Sequence, residues 1–429
     1  MLLGAFVVET AVWVFATVVI TLCVTRVYLN SLFGIVRGKA KGPAAPPRKL
    51  SRNFPFVTVL LPTYNENAVI DRLLTATTKM DYPNYELMVA DDSTDRDAIK
   101  RLESWEKRGV TVVHRDARKG FKAGALNNAL ARCDARSEYL LLFDADYVPQ
   151  PDTIWRFLER FEDKSVDAVQ GYPEPTLNAS KNFFTMSVST SFSYYYLVDL
   201  PMRRTLGGFV PIGGSVFMIK GSVLKELGGF DESSITEDWE LASRMAETGH
   251  KVVFDENIRV PAECPSSYRS LVSQQMRWAE GITRDTKNHL LRMIASKETT
   301  TMEKFDYAFY GFSYFNCILG TITYALSFLA FLISNRILDV LGVDRGLIFG
   351  LGALGNFLIY AAPVYLSLVF VFAALVGLYR DGKLKSFYRF VPFVLVNMSL
   401  TPFIAFSSAK GLLFKRGSWS RTPKTGEVL

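Results

Sequence analysis

The stretch VTVLLPTY at residues 57–64 decides the fold of the central part of this chain. It is a short, mostly apolar run of the kind found in strands buried on both faces, and ENAVIDRLLTATTKM at 66–80 follows it with helical spacing. The same alternation of strand and helix patterns continues in the segments 85–92, 97–108, 110–114, 122–133 and 139–146. Strands that alternate with helices predict an α/β fold, in which a largely parallel sheet is covered by helices on both faces.

Acidic and amide side chains lie where three of these strands are predicted to end, at Asn65-Glu66, Asp91-Asp92 and Asp144-Ala145-Asp146. Ligands of open parallel sheets bind at the carboxyl ends of the strands, so these side chains are expected to converge on one site. No G-x-G-x-x-G fingerprint follows the first strand, and no G-x-x-x-x-G-K-[ST] P-loop occurs in the sequence. A nucleotide bound here would therefore rely on carboxylates and a metal rather than on a glycine-rich backbone.

Two acidic elements suggest the chemistry of that site. Asp144 and Asp146 offer hard oxygen ligands, and Mg²⁺ or Mn²⁺ bound to a diphosphate needs only one or two protein carboxylates. Further along, Thr236 has the pattern of an N-cap, with Glu237 and Asp238 in the first helical turn. A helix start is also a rigid platform for a carboxylate that acts as a general base.

Two basic elements accompany the acidic ones. Gln274, Arg277 and Trp278 form a Q-x-x-R-W run, in which Gln274 and Arg277 share one helical face. The arginine can bind a diphosphate and the tryptophan can stack on a sugar, although a helix at a membrane surface has a similar pattern. The loop 119–124 combines lysines with glycines before a helix, which suits either a phosphate contact or a solvated loop.

Apolar segments point to a membrane. Residues 3–25 carry a single charge, Glu9, and further apolar runs lie at 308–334, 347–378 and 388–413. Basic residues follow the first run rather than precede it, which favours a retained anchor over a cleaved signal peptide. By the positive-inside rule, these residues place the soluble part of the chain in the cytoplasm.

The last apolar run raises a problem of topology. The segments 380–389 and 414–424 on either side of it are both basic, so both are expected in the cytoplasm. A single crossing between them would separate the two. We therefore predict that 388–413 is a re-entrant or interfacial element or a short hairpin, and its prolines Pro392 and Pro402 suit such an irregular segment.

Composition excludes several other classes of function. The net charge of +7 suits a surface that lies against anionic lipid, and no basic-aromatic motif supports nucleic-acid binding. The four cysteines form no C-x-x-C pair, so neither a zinc site nor a disulfide framework is predicted. We interpret the isolated histidines, His114, His250 and His289, as structural or surface residues.

Taken together, these motifs resemble the membrane-integrated family-2 glycosyltransferases, which include cellulose, mannan, chitin and hyaluronan synthases and related lipid glycosyltransferases. The matching segments span about 220 residues in the family's order, and the tail 418–424 (SWSRTPK) also resembles an element of such synthases. The segments are LPTYNE (61–66), VADDSTD (89–95), KAGALNNAL (122–130), FDAD (143–146), GGSVFMIK (213–220), GGFDESSITEDWELASRM (228–245) and QQMRW (274–278).

The resemblance implies a glycosyltransferase A-type fold and inverting transfer from a UDP- or GDP-sugar. It implies that Asp238 is the catalytic base, with Glu237 beside it, and that Asp144 and Asp146 hold Mg²⁺ or Mn²⁺. The nucleotide-sugar site is expected to comprise Thr63, Asn65, Glu66, Asp92, Lys122, Asp144 and Arg277. The acceptor site is expected to comprise Gln274, Trp278, Gly214 and Trp419.

The predicted organisation is a cytosolic catalytic domain inserted between membrane segments. The five parts are a transmembrane helix at 1–27, a basic linker at 28–52, the glycosyltransferase domain at 53–300, a membrane region of two or three spans with interfacial segments at 301–413, and a basic cytosolic tail at 414–429. Such a multi-pass protein is expected at the plasma membrane, where it could form a homo-oligomer.

Three functions fit the sequence. The first is processive synthesis of a β-linked glycan, which the Q-x-x-R-W run favours. The second is addition of one sugar to a membrane lipid, which the small number of spans favours. The segment 182–204 is aromatic and amphipathic, as expected either of a segment at the membrane surface near such an acceptor or of a core helix. The third, a transporter or scaffold with an inactive domain, leaves the set of carboxylates unexplained.

Overall fold

The computed structural model describes residues 21–40, 54–332, 362–414, 417 and 422–426. Its centre is a seven-stranded sheet with the strand order β3-β2-β1-β4-β6-β5-β7, formed by β1 (Phe56–Thr63), β2 (Tyr85–Asp91), β3 (Thr111–His114), β4 (Ser137–Leu142), β5 (Ala168–Pro175), β6 (Phe217–Lys220) and β7 (Val252–Ala262). The strand β6 pairs antiparallel with both of its neighbours, and every other pairing is parallel. The predicted α/β fold with a mostly parallel sheet is therefore confirmed.

Helices flank the sheet and extend from it. In chain order they are α1 (21–37), α2 (Ile70–Thr77), α3 (Arg96–Glu106), α4 (Phe121–Leu130), α5 (Thr153–Arg160), α6 (Phe183–Tyr194), α7 (Leu200–Thr205), α8 (Gly221–Glu226), α9 (Glu237–Glu247), α10 (Tyr268–Ala295), α11 (Thr301–Gly311), α12 (Phe315–Leu332), α13 (Ala362–Arg380) and α14 (Phe390–Leu413). A π-helical turn, Tyr195–Asp199, joins α6 to α7, and a 3₁₀ helix, Leu384–Arg389, precedes α14.

Both faces of the sheet are buried, which explains the apolar run that opens the domain. Along β1, Val57, Val59 and Leu61 pack into a cluster on one face with residues of α2, α3 and α5. Leu60 points the other way, into a second cluster with residues of α4, α8 and α9. Side chains alternate between the faces of a strand, so a strand covered on both sides needs apolar residues at almost every position.

The strand β6 was not predicted from the sequence. Only four residues long, it inserts antiparallel between β4 and β5, and the loop before it runs through residues with positive φ, Gly214 and Val216. The strand β3 is equally short but was predicted, because it follows a helix in the regular alternation of strands and helices, whereas β6 follows an irregular loop. The strands β5 and β7 were not predicted either. Its effect is to bring the loop 210–216 against the end of β4, where the site is predicted.

The structure corrects one interpretation of the last apolar segment. The short hairpin is wrong, because α14 is one 24-residue helix that runs through Pro402, and the interfacial placement stays a prediction. Among the described residues, the helical stretch Leu384–Leu413 has the length and apolar composition needed to cross a bilayer, although a buried helix in a soluble protein can share both properties. The predicted first span lies largely outside the described residues, since α1 is seen from residue 21 onward.

Buried ion pairs join the flanking helices to the sheet domain. Arg26 of α1 lies 3.5 Å from Asp199 and 3.3 Å from Asp306, and Asn30 donates to the same Asp199 at 2.6 Å. Arg380, at the end of α13 and 1% exposed, donates to the carbonyl of Leu197 and pairs with Glu256 at 2.8 Å. A buried charge is costly without a partner, so these contacts fix where the helices can sit.

Candidate active site

One cavity of about 390 Å³ opens at the carboxyl ends of β1, β2 and β4. The starts of α4 and α9 and the middle of α10 enclose it, and α6 and α14 border its far side. The cavity brings together most of the predicted site residues: Thr63, Glu66, Asp92, Lys122, Asp144, Asp146, Gly214, Glu237, Asp238, Gln274, Arg277 and Trp278. Their convergence follows from the parallel sheet, because its strand ends share one edge.

Asn65 is a correction to the prediction, because it does not line the cavity. Its side-chain oxygen accepts hydrogen bonds from the backbone amides of Thr94 and Asp95, at 2.8 and 2.9 Å. Its own amide donates to Ser93 at 2.8 Å, and its φ of 55° turns the chain after β1. Asn65 therefore ties the loop after β1 to the loop after β2. Trp419, which was also predicted to belong to the site, lies outside the described residues.

Asp92 is buried at the end of the cavity where the nucleotide is predicted to bind, and it is held by Arg115. Arg115 donates to both carboxylate oxygens of Asp92, each at 2.7 Å. The neighbouring Asp91 has a structural role, since it accepts from Thr63 at 2.8 Å and contacts His114 at 2.7 Å. A bidentate pair fixes the orientation of a carboxylate without using all of its lone pairs, so Asp92 can still accept a bond from a ligand.

Lys122 joins two of the acidic elements. Its ammonium group donates to the carbonyl of Gly214 at 2.7 Å and lies 2.8 Å from Asp144 and 3.2 Å from Glu237. Burial alone would lower the pKa of Lys122, but Asp144 and Glu237 outweigh that effect and raise it above its usual range. Lys122 is therefore a fixed positive charge at the centre of the cavity.

Asp238 has the geometry of a general base. One oxygen, Oδ1, accepts from the backbone amide of Trp239 at 2.9 Å. The other, Oδ2, faces Gly214, where a Cβ atom would lie only 2.7 Å away, so glycine is required at that position. Burial, followed by the charge of Glu237, raises the pKa of Asp238 to about 7, while Lys122 and Arg277 oppose the shift.

The start of α9 differs from the prediction in one respect. Thr236 occupies the N-cap position, but its side chain does not cap the helix. The hydroxyl group donates instead to Asp285 of α10, at 2.8 Å. The sequence pattern thus predicted the position of the helix start correctly and the partner of the threonine wrongly.

Asp146 has the features of a cation ligand. Its Oδ1 atom is buried and has no hydrogen-bond partner among the described residues, while its Oδ2 atom lies 2.8 Å from Lys424 and accepts from the amide of Glu263 at 3.2 Å. No group of three His, Cys, Asp or Glu side chains in the described part of the chain could hold a metal ion. A divalent cation here would take its other ligands from a diphosphate and water, as Mg²⁺ commonly does, and it would neutralise the charge of that diphosphate.

The tail 422–426 brings residues to the site that sequence reasoning missed. Thr422 and Lys424 line the cavity, and Glu263 holds the tail by accepting from the amide of Thr425 at 3.1 Å. Glu263 is itself paired with Arg72 at 2.6 Å. The resemblance had pointed to the tail through Trp419. Lys424, in the same segment, was the residue of the sequence that could have indicated a contact with the acidic site.

Comparison with known proteins identifies the family of the chain. Residues 55–281, more than half of the chain, match the family model described as "Glycosyltransferase like family 2". The chain belongs to this family of glycosyltransferases. The seven-stranded, mostly parallel sheet is the glycosyltransferase A-type fold that the resemblance implied.

Several similar proteins are plant family-2 enzymes. Glucomannan 4-beta-mannosyltransferase 7 of Arabidopsis thaliana is 27% identical over 392 residues, which cover 88% of this chain and 66% of the relative. Probable glucomannan 4-beta-mannosyltransferase 7 of Oryza sativa subsp. japonica is 31% identical over 270 residues, which cover 60% of this chain and 46% of the relative. The matches thus span between about half and two thirds of the length of these family-2 relatives.

A solved structure shares the fold of this family-2 chain. The mannosyltransferase PcManGT from Pyrobaculum calidifontis, in complex with GDP-Man and Mn²⁺, superposes with a TM-score of 0.53 at 21% sequence identity. The match covers 89% of this chain and 99% of PcManGT.

The position of Asp238 leads to a pH prediction. Turnover should fall as the pH drops through about 7, because a base must be ionised and burial raises the pKa of Asp238 to that value. The Asp238→Asn variant should lose about 10²-fold in kcat and retain nucleotide binding. The measurement is kcat against pH. A profile in the wild type that stays flat through neutrality would contradict the assignment of Asp238 as the base.

The contacts of Asp146 lead to a prediction about metal binding without substrate. Asp146→Asn should weaken Mn²⁺ binding by more than about 10-fold, an effect that even outer-shell substitutions can produce. Lys424→Met should strengthen binding, because the ammonium group competes for the same carboxylate. Titration of Mn²⁺ followed by electron paramagnetic resonance measures both, with Asp116→Asn, a change at a fully exposed position, as the control. Equal affinities for the wild type and Asp146→Asn would exclude Asp146 as a ligand.

Proposed function

We propose that the protein is an inverting glycosyltransferase that extends a β-linked glycan from a nucleotide-diphosphate sugar at the membrane. The observation that carries this proposal is the single cavity in which the Asp144-Asp146 pair, Lys122, Arg277 and Asp238 converge. Together these supply the needs of a displacement at a sugar carbon, namely cationic groups for the diphosphate and a base for the acceptor.

The reaction follows from these positions. The acceptor hydroxyl attacks the anomeric carbon as Oδ2 of Asp238 takes its proton, and the bond between that carbon and the diphosphate breaks. The charge that develops on the diphosphate is stabilised by Lys122 and Arg277, which line the same cavity. A diphosphate leaves without being protonated, so a single carboxylate base is sufficient. Because the reaction is one displacement, with the hydroxyl attacking opposite the leaving diphosphate, the anomeric configuration inverts.

The names of the relatives favour mannose as the sugar. Two of them are named glucomannan 4-beta-mannosyltransferases, and PcManGT is named as a mannosyltransferase in complex with GDP-Man. We therefore propose GDP-mannose as the donor and a β-1,4-linked mannan or glucomannan as the product.

A lipid acceptor is the second candidate, and one observation favours it. The far side of the cavity is formed by Asn397 and Leu400 of α14, the helix that has the length and composition to cross a bilayer. A lipid lying beside that helix could present its head group to Asp238. The aromatic segment 182–204 supports either acceptor, since α6 lines the same part of the cavity.

The donor and the product are tested together with the purified full-length protein. It is incubated with Mn²⁺ and labelled GDP-mannose, UDP-glucose or UDP-N-acetylglucosamine, and the released nucleotide and the size of the product are measured, with Asp238→Asn as the control. GDP release and a product that β-mannanase degrades are expected. One or two sugars on an extractable lipid would establish the second candidate, and no nucleotide release from any donor would refute both.

Trp278 separates elongation from single addition. An aromatic ring can hold the C–H face of a sugar while one nucleotide leaves and the next binds. We therefore expect Trp278→Ala to shorten the product at saturating donor while nucleotide binding is preserved. Trp278→Phe, which keeps a ring, is the matched control and should give longer chains than the alanine variant. Equal product lengths in all three proteins would remove Trp278 from the acceptor site.

The cytoplasmic, multi-pass arrangement is also a proposal, supported by the basic residues that follow the first apolar run. A cysteine at position 116, where the Asp116 side chain is fully exposed, should resist a membrane-impermeant thiol reagent on intact cells and react once the cells are permeabilised. The wild type, which retains its four native cysteines, is the background control. Equal labelling before and after permeabilisation would contradict a cytoplasmic catalytic domain.

A further inference from the structure

The turn Ser234–Thr236, which lies just before α9, is bound to α10 by one buried carboxylate, that of Asp285. Oδ2 of Asp285 accepts from the hydroxyl of Ser234 at 2.6 Å and from the hydroxyl of Thr236 at 2.8 Å. Ser234 in turn accepts from the amide of Thr236 at 3.0 Å, which closes the turn. Asp238 follows Thr236 by two residues, so this turn fixes the position of the proposed base at the start of α9.

The hydroxyl of Thr236 does not cap its own helix. At an N-cap its oxygen would accept from a free amide in the first helical turn. Here the amide of Trp239 donates to Oδ1 of Asp238, and the hydroxyl group of Thr236 donates its proton to Asp285. The amide that the threonine could have capped therefore orientates the carboxylate of Asp238.

The surroundings show a close fit between α9 and α10. A Cβ atom at Gly281 would overlap the Thr236 side chain, so only glycine allows this approach. One turn further along α10, Thr286 accepts from the indole of Trp239 at 3.1 Å. The carboxylate of Asp285 thus lies within a rigid contact between the helix that carries the base and the helix that carries Gln274, Arg277 and Trp278.

Asp285 acts from outside the reaction cavity. It is 4% exposed and lines a separate polar cavity of about 370 Å³, together with Glu240 and His289. Burial raises the pKa of its carboxyl group to about 7, even though the hydroxyl groups of Ser234 and Thr236 lower it. Burying a carboxylate is costly, and an apolar residue could have filled the same space between the helices.

We propose that Asp285 is a positioning residue for catalysis, which holds the Ser234–Thr236 turn so that Oδ2 of Asp238 points at the acceptor hydroxyl. The inference rests on the proposed function, because it assigns to Asp238 the role of base. It concerns kcat rather than donor binding, since the nucleotide end of the cavity is built by other elements. A shift of the base by about 1 Å can cost about 10²-fold in rate.

The test uses two conservative pairs of variants in the full-length protein. Asp285→Ala should lower kcat by about 10²-fold and leave the KM for the donor unchanged, because the base moves and the nucleotide contacts stay. Asp285→Asn should retain most of the wild-type kcat, since an amide oxygen can accept the same two hydroxyl groups. Thr236→Val should behave like Asp285→Ala, and Thr236→Ser should behave like the wild type.

A matched control and a double variant make the result specific. Asn288→Ala changes an exposed residue on the same helix and the same second cavity, and it should leave kcat unchanged. If the two residues act through their mutual contact, the double variant Thr236→Val with Asp285→Ala should be no slower than either single variant. Rates are expressed per nucleotide-binding site, so that unfolded protein does not lower them.

The outcomes separate this inference from the function on which it rests. The pattern just described, with nucleotide binding intact, supports the positioning role. Three outcomes with an active wild type would overturn the role of Asp285 alone. They are full kcat in Asp285→Ala, additive losses in the double variant, and a parallel loss of binding and turnover. Absence of turnover in the wild type with every donor would overturn the proposed function and this role together.

Discussion

The ammonium group of Lys122 is the charge on which the assembly of the site depends. Asp144, Glu237 and Asp238 arrive from two distant parts of the chain and would repel one another in a shared cavity. Lys122 lies within 3.2 Å of Asp144 and Glu237. It also donates to the carbonyl of Gly214, the residue that lies against Asp238. The turn before α4, at Gly120, places this lysine at the edge of the sheet where those carboxylates meet.

The same balance of charges sets the properties of Asp238. Burial and Glu237 raise its pKa, whereas Lys122 and Arg277 lower it, and the result lies near neutrality. A base of that pKa is ionised in a useful fraction of molecules and still has a strong affinity for the proton it removes. Glu237 therefore raises the pKa of Asp238 through its charge, although its own carboxylate is paired with Lys122.

The sequence alone was sufficient for the first four strands and for most residues of the cavity. Periodicity predicted β1 to β4 and the helices between them, because these elements alternate regularly along the chain. Convergence of Asp92, Asp144 and Asp146 followed from the geometry of parallel strands. The strands β5, β6 and β7 were not predicted, and β6 departs from the regular pattern because it follows an irregular loop and pairs antiparallel. A hairpin at 388–413 was considered because Pro402 weighed against a continuous helix.

Contacts between distant segments could not be predicted, since a local pattern does not say which of two partners a side chain takes. The proton of the Thr236 hydroxyl group needs an acceptor, and only the approach of α10 at Gly281 brings the carboxylate of Asp285 within its reach. Lys424 is 278 residues from Asp146 in the sequence, yet its ammonium group lies 2.8 Å from Oδ2 of that carboxylate, while Oδ1 has no hydrogen-bond partner among the described residues. The two oxygens of one carboxylate thus have different surroundings, one beside a lysine from the tail and one available to a further cation. No local pattern around Asp146 could show this, because the difference arises only from the packing of the tail against the sheet domain.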